Sequence, residues 1–105
     1  MNCDIDHLVI GAASLEQGVA WCEATLGMAP GPGGVHAFMG THNRLLRIDG
    51  PGFAHTYLEI IAIDPAAPPP DRVRWFGLDD PAVQARLAQG PQLLTVVART
   101  PNVEM

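Results

Sequence analysis

The sequence predicts an α+β domain of β-α-β-β-β order with a four-stranded mixed sheet, followed by a short helix and one more strand. Three observations support this prediction: one well-capped amphipathic helix, several short segments with two-residue alternation, and frequent turn signals. Gly (11) and Pro (10) supply those signals within 105 residues. This length suits one domain or part of one.

The first strand and the first helix have clear sequence signals. Residues 4–10 predict a strand in which Ile5, His7 and Val9 share one face, opposite Asp6, Leu8 and Ile10. Ser14 and Gln17 form an S-x-x-Q capping pattern, and Gly27 suits the position after the helix end. The helix between them carries an apolar stripe at Leu15, Val19, Cys22 and Leu26.

Three more strands are expected after a loop of Pro and Gly at 30–34. They cover residues 35–40, 43–49 and 55–63, with a turn at 40–42 between the first two. In the last of them Tyr57, Glu59, Ile61 and Ile63 point to one face.

The second part of the chain is interpreted as an incomplete repeat of the first. Residues 1–63 form one β-α-β-β-β module, and 64–78 form a Pro-rich linker. Asp80 and Pro81 begin a short helix, and 92–99 form a strand, so 79–105 is read as part of a second module. One helix covers only one face of the four-stranded sheet. We therefore expect either a longer protein or a homodimer that covers the other face.

Composition excludes several classes of partner. Six Lys and Arg against eleven Asp and Glu give a net charge of −5, which disfavours nucleic acid. The apolar stretches are far shorter than the roughly 20 residues of a membrane helix, and the N-terminus lacks a signal-peptide pattern. Two cysteines make no disulfide framework, so a cytoplasmic location is expected.

His7 and Glu59 form the pair of residues best suited to chemistry. If their strands are neighbours, an imidazole and a carboxylate converge on one sheet face, and both are ligands of divalent metals. The alternative is a half-buried histidine beside a glutamate on a polar-lined sheet. Two ligands do not complete a site, so a second module must supply the others.

Other polar residues have structural and functional interpretations side by side. His42 and Asn43 suit the mouth of a pocket, but they are also ordinary turn residues. Trp75 follows Arg72 and Arg74, which suits a clamp on a substrate carboxylate or docking of the linker on the sheet. No nucleophile motif of the G-x-S-x-G, C-x-x-C or H-E-x-x-H type is present.

These residues resemble a known superfamily. The stretches IDHLVI at 5–10 and YLEII at 57–61 look like the first and fourth strands of a vicinal oxygen chelate module, with a glyoxalase/bleomycin-resistance-like fold. GTHNRL at 40–45 and RWFGLDDP at 74–81 are similar to its glyoxalase-like domain branch.

The resemblance implies a function and a site. Paired modules of this superfamily surround a pocket, and His7 and Glu59 fall on its metal-ligand positions. It implies a divalent metal (Zn, Ni, Mn or Fe) and a small oxygen-bearing ligand. The activity would be that of a lyase, isomerase or dioxygenase with Glu59 as the catalytic group. We expect His42, Asn43, Tyr57 and Trp75 to bind the substrate.

The chain departs from the superfamily pattern because only its first module is complete. Two copies around a two-fold axis would bring two His7 and two Glu59 side chains to one ion. The alternatives are a metal-free module that binds a drug or metabolite, and a catalytically incomplete fragment that dimerises.

Overall fold

The computed structural model describes residues 3–100, which form one mixed sheet with helices on both faces. The strands are β1 (Asp4–Gly11), β2 (Val35–His36), β3 (Thr41–Arg47), β4 (Tyr57–Ile63) and β5 (Gln92–Arg99). The helices are α1 (Leu15–Leu26) and α2 (Pro81–Gln89), and a 3-10 turn spans Trp75–Gly77. The order across the sheet is β2-β3-β4-β1-β5, and only β1 and β4 are parallel.

Helix α1 begins and ends as predicted. The Gln17 amide donates to Ser14 Oγ at 3.1 Å, and Gly27 adopts a left-handed φ of 72°. A Cβ at Gly18 would lie 2.5 Å from Ile60 Cγ2, so this glycine lets the helix approach the sheet closely. Leu26 was expected in the buried stripe but is 46% exposed, so that stripe is shorter than predicted. The core under α1 consists of Ile10, Cys22, Leu46, Leu58 and Ile60.

Three predicted strand boundaries were wrong because of two turns with left-handed backbone. The chain reverses at 37–40, where the Met39 amide bonds to the His36 carbonyl and Gly40 has a φ of 63°. Strand β2 is therefore only two residues long, and β3 begins at Thr41. His55 has a φ of 57°, so β4 begins two residues later than expected.

The last strand joins the first sheet instead of standing apart from it. Strand β5 pairs antiparallel with β1, which gives five strands rather than the predicted four. The expected partial second module extends to residue 105, and 101–105 lie outside the described residues. Asp80 caps α2 as predicted, accepting from the Ala82 amide at 2.8 Å.

The face opposite α1 is covered at one end only. Buried Leu78, Val83 and Leu87 pack there against Ile63 and Leu94. The other end of this face carries His7, Tyr57 and Glu59, and we call it the site face. Within residues 3–100 no helix is long and apolar enough to span a membrane.

Candidate functional site

His7 and Glu59 converge on the site face as the alternation of β1 and β4 predicts. The strands are adjacent, and Val9 stands opposite Glu59 in their parallel register. The Nε2 atom of His7 lies 3.4 Å from Oε1 of Glu59. Glu59 is only 7% exposed, so this is a carboxylate taken largely out of water.

The second oxygen of Glu59 is held by Asn43 of β3. The Asn43 Nδ2 group donates to Oε2 at 2.6 Å, while its Oδ1 accepts from the Gly34 amide at 2.8 Å. A Cβ at Gly33 would meet the Asn43 backbone oxygen at 2.1 Å, so the loop also lies directly against this residue. Asn43 therefore orients the carboxylate and leaves Oε1 directed at His7.

The second nitrogen of His7 is held by Asp6. His7 Nδ1 and Asp6 Oδ2 are 2.6 Å apart, and Arg99 Nη1 lies 3.1 Å from Asp6 Oδ1. The His7 hydrogen bond, followed by the Arg99 guanidinium, lowers the pKa of Asp6 below its usual 3.8. Asp6 is therefore a carboxylate anion at neutral pH.

Tyr57 stacks on the imidazole of His7. Their ring centroids are 4.5 Å apart and the planes differ by 6°. Burial, and after it the charges of Asp6 and Glu59, raise the pKa of the Tyr57 phenol, so it stays protonated at neutral pH. The phenol ring thus limits the directions in which His7 can turn.

The side chains of His7, Asn43, Tyr57 and Glu59 form the polar floor of a cavity of about 460 Å³ with apolar walls. Trp75 contacts His36 and Phe38 edge to face, with centroids 5.1 and 5.4 Å apart. Phe76, beside it, has a left-handed φ of 57°, which is unusual for a bulky residue. The walls are formed by Leu45, Trp75, Phe76 and Val97.

The aromatic wall is anchored by an ion pair. Asp79 accepts from the Arg74 amide at 2.7 Å and from its Nη1 at 2.6 Å. These two bonds lower the pKa of the Asp79 carboxyl. Trp75 also packs against the cluster under α2, so the expected docking of this segment on the sheet is present. Its indole Nε1 is buried and finds no acceptor among the described residues.

His42 and Asn43, the two other residues predicted to bind substrate, lie on opposite sides of β3. Asn43 reaches the cavity, but His42 lies on the opposite side of β3, in a cleft shared with Leu15 and Asp64. Sequence reasoning did not single out His36. Strand β2 is an edge strand, but His36 stands opposite Thr41, bonds to its Oγ1 at 2.9 Å and lines the cavity. The sequence signals placed the turn at 40–42 instead of 37–40, so the pairing of His36 with Thr41 could not be predicted.

The His7–Glu59 pair fits half of a divalent metal site. Two ligands of a tetrahedral ion, each at about 2.1 Å, lie about 3.4 Å apart, which matches the separation of Nε2 and Oε1. Imidazole and carboxylate suit zinc, nickel, manganese and iron. Within the part of the chain that the structure describes, however, no three His, Cys, Asp or Glu side chains are grouped closely enough to hold an ion.

A β-α-β-β-β sheet around a pocket whose His and Glu come from its first and last strands defines a vicinal oxygen chelate module. A profile of the glyoxalase-like domain family matches residues 5–105. The chain therefore belongs to the glyoxalase-like domain family, within the vicinal oxygen chelate superfamily. No curated protein sequence matches it at a significant level.

Solved structures of methylmalonyl-CoA epimerases have the same fold. The Mycobacterium tuberculosis enzyme is 19% identical with a TM-score of 0.57, and the match covers 95% of this chain and 57% of that one. A variant of the Streptomyces coelicolor enzyme, in complex with 2-nitronate-propionyl-CoA, is 26% identical with a TM-score of 0.58. That match covers 96% of this chain and 64% of the epimerase. The chain thus spans about three fifths of the length of these neighbours.

Proposed function

We propose that this chain forms half of a metal-dependent active site that isomerises a small oxygen-bearing metabolite. The observation that carries the proposal is the buried His7–Glu59 pair, with Nε2 and Oε1 3.4 Å apart at the floor of a cavity. Among the three reaction classes expected from the sequence, the likeness to epimerases favours the isomerase. The lyase and dioxygenase alternatives use the same ligand types.

We assign different roles to the residues of the cavity: metal binding, proton transfer and contact with the substrate. His7 Nε2 and Glu59 Oε1 would hold a divalent ion, and that ion would act as a Lewis acid toward negative charge on substrate oxygens. Glu59 is the one carboxylate among the described residues that line the cavity, so we assign proton transfer to it. Tyr57, Trp75 and Phe76 give apolar surface to the carbon part of the substrate.

A second module completes the ligand set. Two donors are too few for a zinc-type ion, which takes four ligands in most protein sites. We propose that a second copy of this chain supplies the second module, in a homodimer with one ion between two His7–Glu59 pairs. The cytoplasmic location expected from the cysteines remains a prediction.

The first experiment measures metal content by elemental analysis after reconstitution with zinc, nickel or manganese and removal of free ions. Wild-type protein should hold about one ion per two chains. Glu59→Gln keeps the shape of the side chain but removes its charge, and His7→Gln removes the imidazole. Both variants should lose most of the metal. Glu16→Gln changes an exposed glutamate on α1 in the same way and should bind metal as the wild type does. Equal metal content in Glu59→Gln and Glu16→Gln would contradict the proposal.

A metal-free binding module is the second candidate, and the incomplete donor set among residues 3–100 favours it. It predicts that a ligand raises the melting temperature in the presence of a chelator. A short 2-oxo aldehyde and a branched acyl thioester are suitable probes. Stabilisation that needs added metal supports the isomerase, whereas equal stabilisation with chelator supports the binding module.

A further inference from the structure

Strand β1 contains an irregularity immediately before His7. Ile5 pairs with Ala98 of β5 and His7 pairs with Val97, so two steps along β1 match one step along β5. Asp6 is therefore an extra residue in this strand, as in a β-bulge. Bulges redirect side chains and are frequent next to active sites.

The bulge changes what Asp6 contacts. Regular alternation would place Asp6 on the face of Leu8 and Ile10, away from its neighbour His7. Instead, its Oδ2 atom lies 2.6 Å from His7 Nδ1. In a neutral histidine this bond requires the hydrogen on Nδ1, since the ionised carboxylate has no hydrogen to donate. The lone pair is then on Nε2, the atom that lies 3.4 Å from Glu59 Oε1.

The Asp6 carboxylate is itself held in place from β5. Arg99 Nη1 lies 3.1 Å from Asp6 Oδ1, and Arg99 Nη2 donates to the Ala54 carbonyl oxygen. Arg99 thus joins the last strand to the loop before β4 and fixes the second oxygen of Asp6. Each oxygen of this carboxylate has a defined partner.

We infer that Asp6, anchored by Arg99, is a positioning residue that fixes the tautomer and orientation of His7. It directs the Nε2 lone pair into the cavity. The inference rests on the proposed function for its use in metal binding, since outer carboxylates that hold a ligating histidine raise metal affinity. The hydrogen bond itself acts in the metal-free protein and is tested there.

The deciding measurement is the ¹⁵N chemical shift of the two His7 ring nitrogens in metal-free protein. It is made at about pH 8, where an ordinary imidazole is neutral, and His7→Gln identifies the signals. In wild type, Nδ1 should carry the hydrogen and Nε2 should be bare. Asp6→Asn should move the population toward the Nε2–H form, because a neutral amide is a weaker acceptor than a carboxylate.

Two further variants separate positioning from a general effect of charge or stability. Asp4→Asn removes the same charge from an exposed position two residues earlier in β1 and should leave the tautomer unchanged. Arg99→Gln keeps the Asp6 carboxylate but removes the guanidinium that holds it. It should change the tautomer population of His7 less than Asp6→Asn does. A merely structural role for Asp6 predicts lower melting temperature with an unchanged tautomer. An Nε2–H form in wild type, or equal populations in wild type and Asp6→Asn, would overturn the inference.

Zinc affinity then connects the tautomer to the proposed function. Asp6→Asn should weaken zinc binding about 10–100-fold relative to wild type and Asp4→Asn. If wild type binds no zinc but its tautomer depends on Asp6, the proposed function fails and the positioning role stands. If zinc binds and neither tautomer nor affinity changes in Asp6→Asn, the positioning role fails and the proposed function stands.

Discussion

Asn43 connects the carboxylate of Glu59 to the glycine loop at 30–34. Its Nδ2 group donates to Glu59 and its Oδ1 accepts from Gly34. It is 9% exposed and Glu59 is 7% exposed, so the carboxylate oxygen does not obtain a water molecule easily if the Asn43 amide is removed. The residue therefore contributes to stability and to the orientation of the site at once.

Asn43→Ala tests this double role. The change leaves the buried Oε2 of Glu59 without its hydrogen-bond donor, which should lower the free energy of unfolding by about 1–3 kcal/mol. Zinc affinity should fall as well, because Glu59 is no longer oriented. Urea denaturation and zinc titration measure the two effects. Arg47→Ala, on the same strand but highly exposed, is the control and should change both very little. An Asn43→Ala variant as stable as this control would contradict the assignment.

At the residue scale, the sequence is informative where alternation is regular. It is less informative where a turn or bulge intervenes. His7 and Glu59 could be placed on one face because β1 from His7 onward pairs with β4 in an unbroken parallel register. His36 was missed because its register depends on a turn at 37–40, which the sequence signals located at 40–42. The contact between Asp6 and His7 was missed because a bulge breaks the alternation at that point.

At the scale of elements, the loop at 30–34 lies against β3 and holds Asn43, the residue that orients Glu59. The Gly31 amide bonds to the Leu45 carbonyl at 2.6 Å, and the Asn43 amide bonds to the Gly34 carbonyl at 3.0 Å. Arg44 also reaches the loop, with its Nε donating to the Gly31 carbonyl at 2.8 Å. The loop acts as a further strand-like edge for β3, although only an isolated bridge is formed.

Two adjacent glycines of this loop make a matched pair of variants. A Cβ at Gly33 would collide with the Asn43 backbone, whereas a Cβ at Gly34 would meet nothing within 4 Å. Gly33→Ala should therefore lower the free energy of unfolding by about 1–3 kcal/mol through overpacking. Gly34→Ala should stay within about 0.5 kcal/mol of wild type. Thermal and urea unfolding of the two variants give the comparison, and equal stabilities would show that the loop does not press on β3.

The elements with their own local signals were predicted well. Helix α1 carries its start and stop in Ser14 and Gly27, and α2 carries its start in Asp80. The pairing of β5 with β1 was not predicted, because no local signal specifies a partner strand 80 or more residues away in sequence. That pairing depends on tertiary contacts, among them the packing of Leu94 of β5 against the cluster under α2.

At the scale of the whole molecule, the sheet forms a pocket that is open on one side. Segment 75–89 covers one end of the sheet face opposite α1, and the site face at the other end stays accessible in a cavity of about 460 Å³. The neighbouring epimerase chains are longer than this one, with 57–64% of their length matched. An open cavity with two proposed metal ligands is what the proposed paired assembly requires of one module.

Native mass spectrometry of the zinc-reconstituted chain tests the proposed shared metal site, because it counts chains and ions in the same particle. We expect a species of two chains with one zinc ion, which loses the ion in Glu59→Gln and keeps it in Glu16→Gln. A monomer that carries no zinc under the same conditions would contradict the claim that His7 and Glu59 form half of a shared metal site.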